Sequence, residues 1–244
     1  MATVYNTEFY NGQSDGSYSS ARLVVPILAE IVAPGSVVDV GCGCGTWLKA
    51  FQEIGISDIL GIDGGYVDRS RLRISDERFV PTDLVHPVAI GRTFDLAMSL
   101  ECAEHLPPSA AEGFVRFLVS LAPVVLLSAA APGQGGVHHV NEQWPSYWAS
   151  LFSRHGYVAA DALRPRIWRL PGIRPWYRQN ALFYVSADKI ASYPGLLTHS
   201  MSADDSMIDV GHPEMYQRGE ALPWRQLLQL LSDKVVRRVL RRSQ

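Results

Sequence analysis

Short apolar runs alternate along this chain with segments whose apolar residues recur at helical spacing. Seven runs rich in β-branched or aromatic residues predict strands, over 37–40, 58–62, 79–84, 94–100, 124–131, 157–161 and 181–186. Helical spacing predicts helices between them, over 21–31, 47–51, 111–121 and 144–155. Strands that alternate with helices favour an α/β fold around a mainly parallel sheet.

A glycine-rich turn follows the first predicted strand, with Gly41, Gly43 and Gly45 at spacing two. Thr46 comes next and is expected to cap the helix that follows. A strand, a glycine turn and a helix in this order form the crevice in which nucleotide-type cofactors bind. The spacing departs from the dinucleotide fingerprint, because position 46 is not glycine, and this argues against an NAD-dependent oxidoreductase. The strand also contains Asp39, a carboxylate that is costly to bury without a partner.

The string from Asp39 to Gly45, DVGCGCG, resembles motif I of the class I S-adenosylmethionine-dependent methyltransferases. The resemblance implies a Rossmann-like fold with a seven-stranded, mostly parallel sheet, an antiparallel last strand and helices on both faces. It also implies that Asp39, with Gly41 and Gly43, holds the amino acid end of S-adenosylmethionine. The implied reaction is direct displacement of the methyl group from the cofactor's sulfonium.

Acidic residues at the ends of the next three strands extend the resemblance. Asp63 and Gly64 lie about 20 residues past the glycine turn, the usual distance for a carboxylate that binds ribose hydroxyls. Asp-Gly is also a common turn pair, which is the plainer interpretation. The resemblance implies that Asp83 and Leu84 contact the adenine, that Gly64 lets adenosine pass close to the backbone, and that Glu101 contacts cofactor or substrate.

The segment from Glu101 to Leu106, ECAEHL, resembles the E-x-x-E-H-L segment of many small-molecule methyltransferases. His105 is our first candidate for a general base, because the pKa of histidine lies near neutrality. The alternative is that His105 hydrogen-bonds a backbone group and only orders the loop.

Polar and aromatic residues are mixed in the segment 132–148, after the fifth strand. His139 and Glu142 are further base candidates, and a set of other residues is expected to contact the acceptor: Tyr18, His138, Asn141, Trp144 and Arg178. Polar groups beside aromatic faces suit a sugar-like molecule. The string HVNEQWPSYW is also similar to one in methyltransferases found near glycan or natural-product genes.

Two other interpretations of this segment are helix capping and metal binding. Asn141 and Glu142 could cap the helix that follows. A metal site formed by His138, His139 and Glu142 is disfavoured, because adjacent histidines on an extended chain point in different directions. Cys42 and Cys44 lack the usual ligand spacing, so no metal ligand is assigned from the sequence.

The domain organisation is predicted as an N-terminal lid over 1–20, a methyltransferase domain over 21–188 and an irregular extension over 189–244. The extension ends in a basic amphipathic helix, 224–242, that suits docking on its own domain, homodimer formation or peripheral membrane contact. A net charge of −2 gives no sign of nucleic-acid binding, and no signal peptide or membrane span is found. Three cysteines fit reduced thiols in the cytoplasm.

The sequence therefore predicts a methyltransferase that uses S-adenosylmethionine to methylate a small-molecule or sugar-like acceptor, most simply on oxygen. One alternative is methylation of nitrogen or carbon in a natural-product intermediate. A second is an S-adenosylmethionine-binding module without catalytic activity.

Overall fold

The structure of the chain is a computed structural model that describes residues 7–217, with side chains described for 16–215. Residues Met1–Val210 belong to one compact unit and Gly211–Gln244 to a second. The described part of the second unit contains one short helix, Pro213–Gln217. The predicted basic helix over 224–242 lies outside the described residues.

Eight strands form a single sheet in the first unit. They are β1 (Ser36–Val40), β2 (Asp58–Asp63), β3 (Phe79–Pro81), β4 (Leu96–Leu100), β5 (Val124–Ser128), β6 (Tyr157–Ala160), β7 (Leu182–Ser186) and β8 (Ser200–Met201). Their order is β3-β2-β1-β4-β5-β7-β6-β8. Neighbours from β3 to β5 are parallel, and β7 runs antiparallel to both β5 and β6. The Rossmann-like fold class is confirmed, and β8, which pairs with the outer edge of β6, adds a short eighth strand.

Helices cover both faces of the sheet. They are α1 (Thr7–Val32), α2 (Thr46–Glu53), α3 (Ala111–Leu121), α4 (Pro145–Arg154), α5 (Arg164–Ile167), α6 (Pro175–Asn180) and α7 (Pro194–Leu197). Alternate strand residues face opposite sides, so β5 contributes Val124 and Leu126 to the core beneath α1 and α2. Val125 and Leu127 face the core beneath α3 and α4. None of the helices within residues 7–217 has the length and apolar composition to cross a bilayer.

The predicted helix over 21–31 begins earlier than the sequence indicates, because residues 7–20 of the predicted lid form the first half of α1. Ser20 lies inside this helix. Its hydroxyl bonds the carbonyl of Gly16, four residues earlier, at 2.9 Å, as serine does inside a helix. The same oxygen accepts the amide of Arg174 at 3.0 Å. The sequence signals for a loop were thus overridden by packing of the helix on the domain, and the lid role of this segment stays a prediction.

The parallel strands bring their carboxyl ends to one edge of the sheet. Asp39 on β1 pairs with Met98 on β4, and Leu100 on β4 pairs with Ser128 on β5. The loops that follow β1, β2, β4 and β5 therefore lie side by side. This is the edge at which ligands bind in open α/β sheets.

Candidate functional site

The glycine turn joins β1 to α2 through three glycines in left-handed conformation, with φ of +81° at Gly41, +53° at Gly43 and +75° at Gly45. A Cβ on Gly41 would overlap the Cys102 thiol, whereas a Cβ on Gly43 would meet nothing within 4 Å. The turn is thus packed on one side and open at Gly43. Gly45 is the N-cap of α2, so the prediction that Thr46 caps this helix is wrong.

Asp63 ties the end of β2 to the glycine turn. One carboxylate oxygen accepts the amide of Gly43 at 2.7 Å. The other accepts the amide of Gly64 and the hydroxyl of Tyr66, each at 2.6 Å. A buried carboxylate held by backbone amides in a glycine turn provides a fixed acceptor for ligand hydroxyls. Asp63 and Gly64 therefore lie beside the glycine turn, and their contact with the cofactor stays a prediction.

Asp39 lies at the carboxyl end of β1 with only 2% of its surface exposed. Burial, and secondarily the charge of Asp63, raises the pKa of Asp39 to about 8. Two carboxyl groups in one buried region need either a shared proton or a cation. A cationic ligand such as a ligand ammonium group would satisfy this need.

Asp83 and Leu84 lie past the end of β3. Leu84 is buried in the core, whereas the Asp83 side chain is exposed and accepts the amide of Val85 at 2.9 Å. Its other oxygen lies 3.0 Å from His86 Nδ1. These two contacts, the one with His86 first, lower the pKa of Asp83. Asp83 closes its own turn here, so its contact with adenine stays a prediction.

Glu101 follows β4 in a conformation that is rare outside glycine, with φ of +53°. Its carboxylate accepts hydrogen bonds from Ser128 Oγ, from Gln134 Nε2 at 2.8 Å and from Asn180 Nδ2 at 3.2 Å. Burial raises its pKa, and these three contacts oppose the rise. Glu101 is thus fixed at the sheet edge, where left-handed strain at a non-glycine residue is typical of a functional position.

Glu104 is fully buried one short turn beyond Glu101. Within residues 7–217, neither of its carboxylate oxygens has a hydrogen-bond partner. Burial, and then the charge of Glu101, raises its pKa well above the usual range. Glu104 Oε1 lies 4.0 Å from His139 Nε2, and the rings of His105 and His139 meet edge to face with centroids 4.9 Å apart.

The loop between β5 and α4 places His139 beside Glu104 and His105. Val140 and Asn141 donate their amides to the carbonyl of Glu104, at 2.9 and 3.0 Å. Glu142 accepts the amides of Gly133 and Gly135, at 2.9 and 2.8 Å, and its Oε1 lies 3.0 Å from His139 Nδ1. Glu142 is therefore committed to holding the loop, which leaves it poorly placed to act as a base.

Neither Asn141 nor Glu142 caps α4. The helix begins at Pro145, and Asp209 accepts both the amide and the hydroxyl of Ser146, at 2.8 and 2.6 Å. Asp209 is distant in sequence, so local spacing gave no sign of this cap.

The residues predicted to contact the methyl acceptor do not all lie in one place. His138 and Trp144 are exposed, and Asn141 is buried within the same loop. The structure does not bring Tyr18 to this loop, because its hydroxyl bonds Glu53 and Arg73 lies 4.6 Å over its ring. Arg178 is buried and donates to the carbonyl of Trp168 at 3.2 Å, an anchoring contact within the domain.

Sequence reasoning missed other residues at this edge. Gln134 and Asn180 bond each other at 2.9 Å as well as Glu101. Ser17 Oγ accepts from Trp47 Nε1 at 3.1 Å and lies 3.1 Å from the Tyr177 hydroxyl. Gln134 and Asn180 carried no motif. Glu104 did carry one, because it is the second acid of the ECAEHL segment.

Comparisons with known proteins identify the family and the fold. A family described as Methyltransferase domain matches residues 13–169, and among curated proteins nothing matches the chain.

Two solved structures illustrate the fold. DesVI of Streptomyces venezuelae has a TM-score of 0.54 and 16% identity over 73% of this chain and 95% of its own. The sugar N-methyltransferase KedS8 of a Streptoalloteichus species has a TM-score of 0.54 and 14% identity over 76% of this chain and 96% of its own.

A third similar structure is the plantazolicin methyltransferase BpumL, in complex with S-adenosylhomocysteine. Its TM-score is 0.52, with 14% identity over 74% of this chain and 88% of its own. At these identities the structural likeness shows the fold, and the family match covers well over half of the chain. The chain belongs to the methyltransferase-domain family and is a class I methyltransferase whose cofactor is S-adenosylmethionine.

Proposed function

We propose that this enzyme methylates a hydroxyl oxygen of a small-molecule, sugar-like acceptor. The observation that carries the proposal is the cluster of Glu104, His105 and His139 beside the glycine turn. Cys102 packs against Gly41 and leads directly into this cluster. A group able to activate a hydroxyl thus adjoins the proposed cofactor crevice.

The residues at the sheet edge fit the cofactor on two structural grounds. Gly43 has open space on its Cβ side, and Asp39 is a buried acid beside the charge of Asp63. We propose that the cofactor is held by the residues that its family motifs mark: Asp39, Gly41, Gly43, Asp63, Gly64, Asp83, Leu84 and Glu101. When bound, S-adenosylmethionine supplies a sulfonium methyl group that is already activated for transfer.

The chain's main tasks are then positioning and proton removal. Burial, and then the charge of His139, lowers the pKa of His105, so its imidazole is neutral at neutral pH and able to accept a proton. His139 is oriented by Glu142. We propose that His105 and His139 activate the acceptor hydroxyl, and that Glu142 keeps His139 in place.

The proposal that a sugar-like acceptor binds here is supported by the exposed groups of the loop between β5 and α4. His138 and Trp144 offer a polar group and an aromatic face to solvent. Trp148, which ends the mixed polar and aromatic segment 132–148, is 2% exposed and belongs to the core. The fold likeness to a sugar N-methyltransferase makes an amino sugar the second candidate.

Cofactor binding is tested by calorimetric titration of the full chain with S-adenosylhomocysteine. Asp63→Ala should lose binding, because the acceptor beside the glycine turn is removed. Asp76→Ala is the matched control, since Asp76 forms an exposed ion pair with Arg69. Loss of binding in both variants, or in neither, would refute the assigned crevice.

Acceptor chemistry is tested by incubating the enzyme with S-adenosylmethionine and paired hydroxyl and amino forms of monosaccharides. Mass spectrometry should find an added methyl group, and fragmentation should place it on oxygen. Methyl transfer only to amino forms would establish the second candidate. Cofactor binding without transfer to any hydroxylated or amino acceptor would favour a non-catalytic module.

The cellular location is proposed from thiol chemistry. All three cysteines, Cys42, Cys44 and Cys102, are free, and burial raises the pKa of each thiol. Free thiols suit a reducing compartment such as the cytoplasm.

A further inference from the structure

The side chains of Glu104, His105 and His139 converge outside the residues proposed to hold the cofactor. One ligating atom from each lies within 4.8 Å of the others. We propose that these three residues bind a divalent transition-metal ion. From the sequence, a metal site formed by His138, His139 and Glu142 is disfavoured; the structure instead brings His139 to residues of the loop after β4.

The buried carboxylate of Glu104 is the strongest argument for an ion. Glu104 is 0% exposed, and among residues 16–215 neither of its oxygens has a hydrogen bond of normal geometry. The backbone amides of Glu104 and Ala130 come close enough to oppose the rise in its pKa, but no side chain or ion pair among these residues neutralises the carboxylate at hydrogen-bond distance. A buried carboxylate in that state costs several kcal/mol unless it is protonated or meets a cation. The imidazoles of His105 and His139 each place a nitrogen within 4.8 Å of this carboxylate, and imidazole nitrogens are ligands suited to the same cation.

Both imidazoles are held as metal-ligating histidines usually are, with the second nitrogen bonded to an acceptor. His139 Nδ1 lies 3.0 Å from Glu142 Oε1. His105 Nδ1 lies 3.3 Å from the carbonyl of His138. A proton on each Nδ1 leaves the lone pair on each Nε2 free to bind an ion.

The distances require only a small adjustment. Ligands at about 2.1 Å from an ion lie roughly 3.0–3.4 Å from each other. His139 Nε2 is 4.0 Å from Glu104 Oε1, and all three ligating atoms lie within 4.8 Å of one another. Closure therefore needs movements of about 1–2 Å, which side-chain rotation provides.

Two nitrogens and one carboxylate oxygen identify the class of ion. Mg²⁺ and Ca²⁺ prefer oxygen ligands, whereas imidazole suits ions such as Mn²⁺, Fe²⁺, Co²⁺ and Zn²⁺. Three protein ligands leave positions open, which is typical of a catalytic site. Glu101 is close enough to affect the pKa of Glu104, but its oxygens are occupied by Ser128, Gln134 and Asn180.

The catalytic role of the ion rests on the proposed function, whereas the metal site does not. An ion here would lower the pKa of an acceptor hydroxyl, whose proton passes to solvent water. The oxygen lone pair forms the bond to the methyl carbon as the carbon–sulfur bond breaks and its electron pair passes to sulfur. His105 and His139 would then activate the hydroxyl as metal ligands.

The test uses the full chain, stripped of metal with a chelator and titrated with Co²⁺, whose visible absorption reports nitrogen ligation. We expect a single ion per chain, not displaced by a large excess of Mg²⁺. Glu104→Gln and His139→Gln should each weaken binding by at least 100-fold. Glu142→Gln should weaken it by about 10–100-fold, because an orienting contact is lost.

His155→Gln is the matched control, because His155 pairs with Glu112 at 2.9 Å in another part of the domain. It should bind Co²⁺ like the wild type, and circular dichroism should show every variant folded. Absence of wild-type binding, displacement by Mg²⁺, or binding retained in folded Glu104→Gln would overturn the metal site. S-adenosylhomocysteine titration of the same samples separates this failure from that of the cofactor crevice.

Discussion

Asparagine in place of Asp39 is expected to stabilise the cofactor-free protein at neutral pH while weakening cofactor binding. Burial and Asp63 raise the pKa of Asp39 from 3.8 to about 8, so the folded state keeps a proton that the unfolded state releases. The carboxyl's contribution to stability is fully present below pH 3.8 and is lost as the pH rises through about 8. At pH 7 the loss is at most about 4 kcal/mol. A buried amide has its own desolvation cost, so we expect a net gain of about 2 kcal/mol.

The assay is urea unfolding of wild type and Asp39→Asn without cofactor, at about pH 5 and pH 7. The wild type should lose roughly 2–3 kcal/mol more than the variant between these values, and the variant's Tm at pH 7 should be roughly 4–8 °C higher. Affinity for S-adenosylhomocysteine should fall by tenfold or more, because a charge-assisted hydrogen bond is removed. Parallel pH dependence in the two proteins would refute the reasoning. Asp76→Asn, at an exposed ion pair, should change neither quantity.

Two further predictions concern packing. Gly41→Ala should lower Tm far more than Gly43→Ala, since only the Gly41 Cβ overlaps Cys102. Gly43→Ala should cost about 1–2 kcal/mol for its left-handed conformation and should reduce the affinity for S-adenosylhomocysteine. Equal Tm losses in the two variants would contradict this. Phe152→Ala should cost about 3–5 kcal/mol in urea unfolding, because Phe152 is fully buried and stacks on Tyr184 with ring centroids 3.9 Å apart. A loss below about 1 kcal/mol would show that neighbouring side chains move in to fill the cavity.

Seven of the eight strands in the sheet could be predicted because each of these seven carries a local signal. The β-branched run of β1 and the apolar run of β5 need no distant partner to be identified. The two-residue strand β8 carries none, because its pairing with β6 depends on a fold that is already formed. The same holds for residues 7–20, whose glycines and serines indicate a loop until packing on the domain makes the helix favourable.

The proximity of Asp39 and Asp63 was predictable from the sequence for a related reason. Asp39 lies within one strand signal and Asp63 directly follows another, and parallel strands bring their ends together without further information. The position of Glu101, in contrast, depends on contacts between distant residues. Glu101 is held by Ser128, Gln134 and Asn180, which belong to β5, to the loop after it and to α6. No spacing in the sequence indicates that these polar groups meet.

Glu104 shows how the two kinds of information combine. The sequence places it in ECAEHL but cannot distinguish a second acid that faces solvent from one that is buried. The structure buries it, and the loop after β5 covers it by donating two amides to its own carbonyl. Those two amides bond the backbone carbonyl of Glu104, so the loop does not use them to bond the carboxylate. Because the covering loop also delivers His139, the contact that buries the acid is the one that supplies a ligand beside it. We therefore expect deletions within 133–137 to abolish Co²⁺ binding without unfolding the sheet, and titration of such a variant, with unfolding followed by circular dichroism, tests this coupling; retained binding would refute it.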